Sequence, residues 1–231
     1  YRRIVVLSHP RWGEGPHVSR GRAGGLHKSH IPKVMFICTV LRPDPSHDFD
    51  GKIGIWRVCI IKQAQRSTAR RNKGGEYECD MNIDADWYQD WYAEIFLPEV
   101  KDKMPWMKGT EAIVQQGGAS PHTGEGTPRK LNKAGREGRW NFKLVKQPAQ
   151  SPNLNINDLG LFASLKSRVW RERFGSLEQL NTGVKRVHDE YGKDTLERVW
   201  QSLFKRYNQV LKARGGNHFE VEHLGSASKA A

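Results

Sequence analysis

The sequence predicts an α/β fold, a mixed sheet flanked by helices with a C-terminal helical extension. Three observations predict it. Val34-Met35-Phe36-Ile37-Cys38-Thr39-Val40 is a short continuous apolar run, as expected of a strand covered on both faces. Tyr88, Trp91, Tyr92, Ile95 and Phe96 recur at i, i+3, i+4, i+7 and i+8, the stripe of an amphipathic helix that packs on a sheet. From Asp158 onward the apolar spacing is helical throughout.

Residues 1–30 read as a basic, Gly/Pro-rich arm or a degraded first-strand region. Pro10, Gly13, Gly15, Pro16, Gly21, Gly24 and Gly25 stand there among Arg20, Arg22 and Lys28, a composition with little apolar surface to bury. The chain opens on Tyr1 and is expected to be a piece of something longer. After the Val34–Val40 strand and a turn from Pro43 to Asp50, Lys52 to Ile61 gives a second run with Ile53, Ile55, Val58 and Ile60. Its β-favouring residues predict a hairpin with the first strand. Lys62, Arg66, Arg70, Arg71 and Lys73 then fall in a stretch without apolar periodicity, which reads as a basic loop.

The helix over residues 84–104 should kink or end at Pro98, which lacks an N–H and crowds the preceding turn. Glu111 to Gln116 is a third strand, Gly124 to Gly138 holds a short helix, and Asn141 to Lys146 is a fourth strand. Phe162, Leu165 and Val169 share one face of the next helix, with Gly175 as its stop. Ser176 with Gln179 and Asp194 with Glu197 have the spacing of N-terminal caps, and Gly192 and the Gly215-Gly216 pair supply helix ends. Leu196, Val199, Trp200, Leu203, Phe204, Tyr207, Val210 and Leu211 give the last helix a broad apolar face. The expected organisation is thus an arm (1–30), an α/β domain (31–174), a helical hairpin (175–216) and a tail (217–231).

Eight Trp, six Tyr and eight Phe spread through 231 residues argue for a packed core, which a chain of this size forms by burying about 70% of its unfolded surface. A net charge of +13 with pI near 9.8 favours a polyanionic partner, most simply nucleic acid. Cys38, Cys59 and Cys79 are far apart and without C-x-x-C spacing, which fits a reducing compartment and neither a disulfide framework nor a zinc site. No segment approaches the ~20 apolar residues needed to span a bilayer, so no membrane partner is expected.

Two segments combine a strand end with a helix start, where α/β sites assemble. They are Val114-Gln115-Gln116-Gly117-Gly118-Ala119-Ser120-Pro121-His122-Thr123 and Gln147-Pro148-Ala149-Gln150-Ser151-Pro152-Asn153-Leu154-Asn155-Ile156-Asn157-Asp158-Leu159-Gly160-Leu161-Phe162. The first resembles the Q-Q-D-N/G-A-x-x-H-T stretch, and the second the Q-P-x-x-S-P-D-L-N-x-x-D-L-G-F-F stretch, of the mariner and Tc1 superfamily of DDE transposases. Ile31-Pro32-Lys33-Val34-Met35-Phe36, followed by Asp50-Gly51-Lys52-Ile53-Gly54-Ile55-Trp56, is similar to that family's strand pair. The resemblance runs over about residues 31–170.

The resemblance implies a ribonuclease-H-like fold in which three acids hold two divalent cations, Mg2+ or Mn2+, for DNA strand cleavage and transfer. Two such metals ~4 Å apart activate the attacking oxygen and stabilise the leaving one. Carried over by position, the third acid falls on Asp158. The second should follow Gln116, where Gly117 stands instead and has no side chain to ligate a metal. No match to the first acid's motif occurs in residues 1–30, so that strand is expected upstream. Gly117 and Asp158 have 40 residues between them, in keeping with the family's spacing. Asp44, Asp48, Asp50, Glu111 and Glu125 are poor substitutes, because none occupies the matching strand end. Without its metals the domain forfeits several kcal/mol of transition-state stabilisation, at a tenfold rate loss per ~1.4 kcal/mol. Asp158 also reads as a plain helix N-cap, and His122 as a group behind the site or an ordinary helix-start residue. Asn153 stands where the family commonly has Asp.

Three functions fit. The chain is a cleavage domain whose missing acid lies outside it, a catalytically dead module that grips DNA through Lys62, Arg66, Arg70, Arg71, Lys73 and the later basic helices, or a decayed transposon reading frame. DNA, as transposon ends or non-specifically, is the expected partner, a homodimer the expected assembly, and the nucleus the expected location in a eukaryote.

Overall fold

A computed structural model of the chain describes residues 3–8, 11–12, 34–69, 71–118, 126–174 and 176–215, the first two segments by backbone alone. Its centre is a sheet of β1 (Arg3–Ser8), β2 (Arg11–Trp12), β3 (Val34–Val40), β4 (Lys52–Arg57), β7 (Glu111–Gln116) and β8 (Asn141–Lys146). The path across it runs β4, β3, β1, β7, β8. β4, β3 and β1 pair antiparallel, whereas β1, β7 and β8 pair parallel. β2 continues along β3 in the register that β1 sets, with Ser8 opposite Cys38 and Arg11 opposite Met35. The region read as an arm or degraded first strand therefore supplies the central strand. Four apolar residues, Ile4–Leu7, were too short a run to announce it. Residues 9, 10 and 13–33 lie outside the described segments.

β3 is buried along its whole length, as its unbroken apolar run requires. Its side chains alternate between two cores. Met35 and Ile37 face one cluster, and Val34, Phe36, Cys38 and Val40 the other. A register shift between Thr39 and Val40 lets Ile53 and Ile55, two residues apart on β4, enter opposite clusters, as a bulge permits. The expected hairpin of β3 with β4 forms. The second run does not continue as one strand, however. It leaves the sheet after Val58, and β5 (Cys59–Gln63) pairs instead with β6 (Glu76–Asp80) in a separate two-stranded ribbon.

On the first face lie α1 (Ala85–Trp91), a π turn (Tyr92–Phe96) and α2 (Leu97–Lys103). Pro98 does not end this run, which continues to Lys103. It sits in the first turn of α2 directly after the π turn, where a missing N–H is tolerated. The π turn also shifts the helical phase. Tyr88, Trp91, Tyr92 and Phe96 are buried, while Ile95, expected in the same stripe, is 41% exposed. α3 (Thr127–Ala134) packs Leu131 into this cluster.

The second face carries a π turn (Asn157–Leu161) running into α4 (Phe162–Val169), then α5 (Leu177–Asp189) and α6 (Lys193–Lys212). Val184, Val187, Leu196, Trp200 and Leu203 join the even-numbered residues of β3 in one cluster. The last two helices, expected as a separate hairpin, therefore form one layer of the domain. Ser176 caps α5 as its spacing predicts, accepting from the Gln179 N–H at 3.1 Å. The second predicted cap does not form. Gly192 is the N-cap of α6, Asp194 lies inside the first turn, and Glu197 pairs with Arg42. Gly183, mid-α5, admits the Phe174 ring edge so closely that a Cβ there would stand 2.4 Å from it. Of Leu211's side chain, 74% is exposed, so the apolar face of α6 ends before it. Gly175 and residues 216–231 lie outside the described segments.

Candidate active site and nucleic-acid surface

β7 ends in two glutamines whose side chains go to opposite layers, as successive strand residues must. The Tyr88 hydroxyl on α1 donates to Gln116 Oε1 at 2.8 Å. On the other face Gln115 Nε2 donates to the Leu154 carbonyl at 2.8 Å, and the Tyr207 hydroxyl on α6 lies 3.2 Å from both Gln115 Oε1 and that carbonyl. The loop after β8 is held by more amides. Its Gln147 N–H donates to the Gln116 carbonyl at 2.8 Å, Asn155 Nδ2 donates to Gln147 Oε1 at 2.8 Å, and Asn155 Oδ1 accepts from the Asn157 N–H at 3.0 Å. Asn157 Nδ2 reaches the Cys38 carbonyl of β3 at 3.1 Å. Asn155 and Asn157 are fully buried. The π turn also touches β1, so the ends of β1, β7 and β8 and the start of the helical layer converge.

This lattice places Gly117 and Asp158 at the same end of the sheet. Nothing among the described residues lies within 4 Å of where a Cβ on Gly117 would stand. The adjoining Gly118 faces Lys146, whose Cε would be 2.9 Å from an added Cβ. Asp158 is exposed and lies within the first turn of the π segment, not at its N-cap, which is Ile156. The N-cap reading of Asp158 is therefore incorrect. Its carboxylate makes no hydrogen bond or ion pair with another described residue. Although the residue as a whole is exposed, its carboxyl group is partly desolvated by its neighbours, which raises its pKa above the ordinary value, and the Lys166 charge opposes that shift.

A two-metal centre needs several carboxylates converging within a few ångströms. Among the described residues no group of three or more His, Cys, Asp or Glu could hold a metal ion. Asp44 caps the Pro45–His47 turn, Asp50 pairs with Lys52 at 3.1 Å, and Glu111 opens β7 at the end away from Gly117. The described residues do not fit the metal pair. His122 and Glu125 lie outside the described segments.

The basic residues gather elsewhere. Lys62 ends β5 with Gln63, and Arg66, Arg71 and Lys73 stand in the exposed loop that joins it to β6; Arg70 lies outside the described segments. The ribbon is anchored at its base by the buried Arg57 side chain, paired with Glu78 at 2.6 Å and Asp80 at 2.7 Å. At the tip Arg71 stacks on Tyr77, 3.8 Å from the ring centroid. A firm base with a cationic tip suits contact with a polyanion. The sequence marked the charges but not the strands beneath them, because ribbon pairing is non-local. No helix among the described residues is long and apolar enough to cross a membrane.

The sheet path, the two helical layers and the loop that follows β8 define a class of fold, a mixed α/β sheet covered by helices on both faces. Within that class the chain has the fold of the catalytic domain of Mos1 mariner transposase, at 18% identity over 95% of this chain and 85% of that one, with a TM-score of 0.64. A pre-cleavage Mos1 transpososome is similar at 18% identity and TM-score 0.66, covering 95% of this chain and 57% of the transposase chain. The Mos1 paired end complex with Mn gives 19% identity and TM-score 0.65, covering 94% and 57%. The chain thus spans a little over half of the transposase in those complexes. No family model matches the sequence, and no curated protein does.

Proposed function

We propose that the chain is a transposase-derived DDE domain of ribonuclease-H-like topology that has lost its metal-dependent strand cleavage and keeps an affinity for DNA. The observation that carries this reading is Gly117 at the end of β7, with Asp158 as the one remaining acid of the set. The antiparallel-then-parallel order β4, β3, β1, β7, β8 supports the topology. On the same reading the first acidic position falls within the chain. β1 fills the central place, and Leu7 is level with Gln116, so Ser8 and His9, next in sequence, correspond to the first acidic position. Neither is a carboxylate. On this reading two of three acids are missing from the chain itself, not left upstream.

Plasmid cleavage under Mg2+ and Mn2+ titration, on the unaltered chain and on Gly117→Asp, tests the catalytic half. Neither should cut, because Gly117→Asp restores only the second acid. Nicking by the unaltered chain overturns the reading. Fluorescence anisotropy with labelled duplexes tests the other half, where binding should be sequence-tolerant and weaken steeply from 50 to 200 mM salt. Absence of binding at low salt would favour a decayed reading frame.

A further inference from the structure

A groove of about 500 Å³ runs between the Asn157–Leu161 π turn and α6, next in sequence to Asp158. Leu159 and Val199 line it, and Gly160 keeps its wall low. Arg198, Lys205 and Arg206 bring three positive charges to it, and no Asp or Glu is among its lining residues. Ser164, Ser202 and Gln209 add neutral hydrogen-bonding groups. Arg206 is 9% exposed and its Nη1 donates to Gln209 Oε1 at 2.9 Å, which makes it part of the wall. Arg198 and Lys205 are exposed. Arg198 has only the Thr195 hydroxyl as a hydrogen-bond partner among the described residues, at 3.0 Å, and Lys205 has none.

Burying one face of α6 under Trp200 and Leu203 fixes the helix's rotation, and with it the direction of the cationic row. Arg198 and Lys205 are two helical turns apart on one side, about 10 Å along the axis. A single phosphate cannot bridge that span. A nucleic-acid strand carries one phosphate at every nucleotide, so a span of this length meets two separate phosphates of one strand. We propose that this groove is a binding site for the phosphate backbone of a nucleic-acid strand, engaged by Arg198 and Lys205 at two separate phosphates. This rests on the DNA-binding reading above. It locates a contact surface independent of the β5–β6 ribbon and needing no metal.

The test is anisotropy of the full chain with labelled single-stranded and duplex oligonucleotides across a salt series, comparing the unaltered protein with Arg198→Ala/Lys205→Ala. Because both side chains are exposed, the double variant should keep its circular dichroism and melting temperature. The expected result is at least a tenfold loss of affinity at 100 mM salt. The slope of log affinity against log salt should shrink by about 1.4 to 1.8, two phosphate contacts' worth. If the unaltered chain binds and the double variant binds equally with the same slope, the groove assignment is overturned and the DNA-binding reading stands. If the unaltered chain binds neither oligonucleotide, both fail. A free mononucleotide competing as strongly per molecule as a strand would overturn the two-phosphate geometry.

Discussion

The lattice of amides around Gln115, Gln116, Gln147, Asn155 and Asn157 and the two positions proposed to descend from metal-binding acids, Gly117 and Asp158, lie within one short stretch of sheet end, yet they differ in what holds them. Each amide is tied to another element, and Tyr88 and Tyr207 clamp β7 from opposite layers. Gly117 has no side chain, and the Asp158 carboxylate makes no hydrogen bond or ion pair with another described residue. The difference teaches that a motif can persist because folding requires it. An amide that satisfies a buried carbonyl is retained by stability, whereas a metal ligand is held only by the reaction, since clustered carboxylates repel one another without their cations.

The comparison can be broken most forcefully at Asn155. Asn155→Ala removes two buried hydrogen bonds and leaves Gln147 Oε1 and the Asn157 N–H to find new partners, at a cost of about 2–4 kcal/mol. Thermal denaturation should show a fall of roughly 5–15 °C; an unchanged midpoint would mean the lattice is decorative. A pH-dependent effect comes next. Burial pushes the pKa of His188 below its ordinary value, its bond to Asp189 opposes this, and the Lys52 and Lys103 charges add to the lowering. The unfolded chain therefore takes up this proton first as pH falls. The histidine's share of stability is complete above about pH 6.5 and is lost below it. Melting temperatures from pH 7.5 to 5 should decline, and His188→Gln should flatten the decline.

The smallest effects belong to Gly117 and Asp158. Gly117→Asp meets nothing among the described residues within 4 Å of its Cβ and should change stability by no more than about 0.5 kcal/mol. Asp158→Asn removes a charge whose burial is unfavourable, and should leave the melting point at pH 7 unchanged or slightly raised. Adding 10 mM Mg2+ or Mn2+ should shift neither the unaltered protein nor Asp158→Asn. A metal-dependent rise seen only with Asp158 present would show that a cation still binds.

Much of this was legible in the sequence where local chemistry decides it. The unbroken apolar run of β3 gave a strand buried on both faces, and Ser176 with Gln179 gave a working cap. Asp194 and Glu197 share that spacing, but the helix starts at Lys193 and Arg42 claims Glu197, a partner 155 residues away in sequence. β1 was hidden because its place depends on pairing with β3 and β7, which no local pattern encodes. Pro98 does not end its helix because the π turn before it places it in a helix's first turn. At the site, Gly117 and Asp158 were singled out by resemblance alone, whereas the tyrosines that fix Gln115 and Gln116 lie on distant helices with nothing to mark them.

The shared core of the sheet and the final helices carries a consequence for the order of synthesis. Val34, Phe36, Cys38 and Val40 point toward residues that leave the ribosome more than a hundred positions later. At 5–20 residues per second that half of the sheet waits several seconds or more for its cover. The nascent domain thus presents an apolar face before α6 arrives to close it. Ending translation before Trp200 and Leu203 should leave a species that chaperones hold or that aggregates, rather than a smaller folded domain.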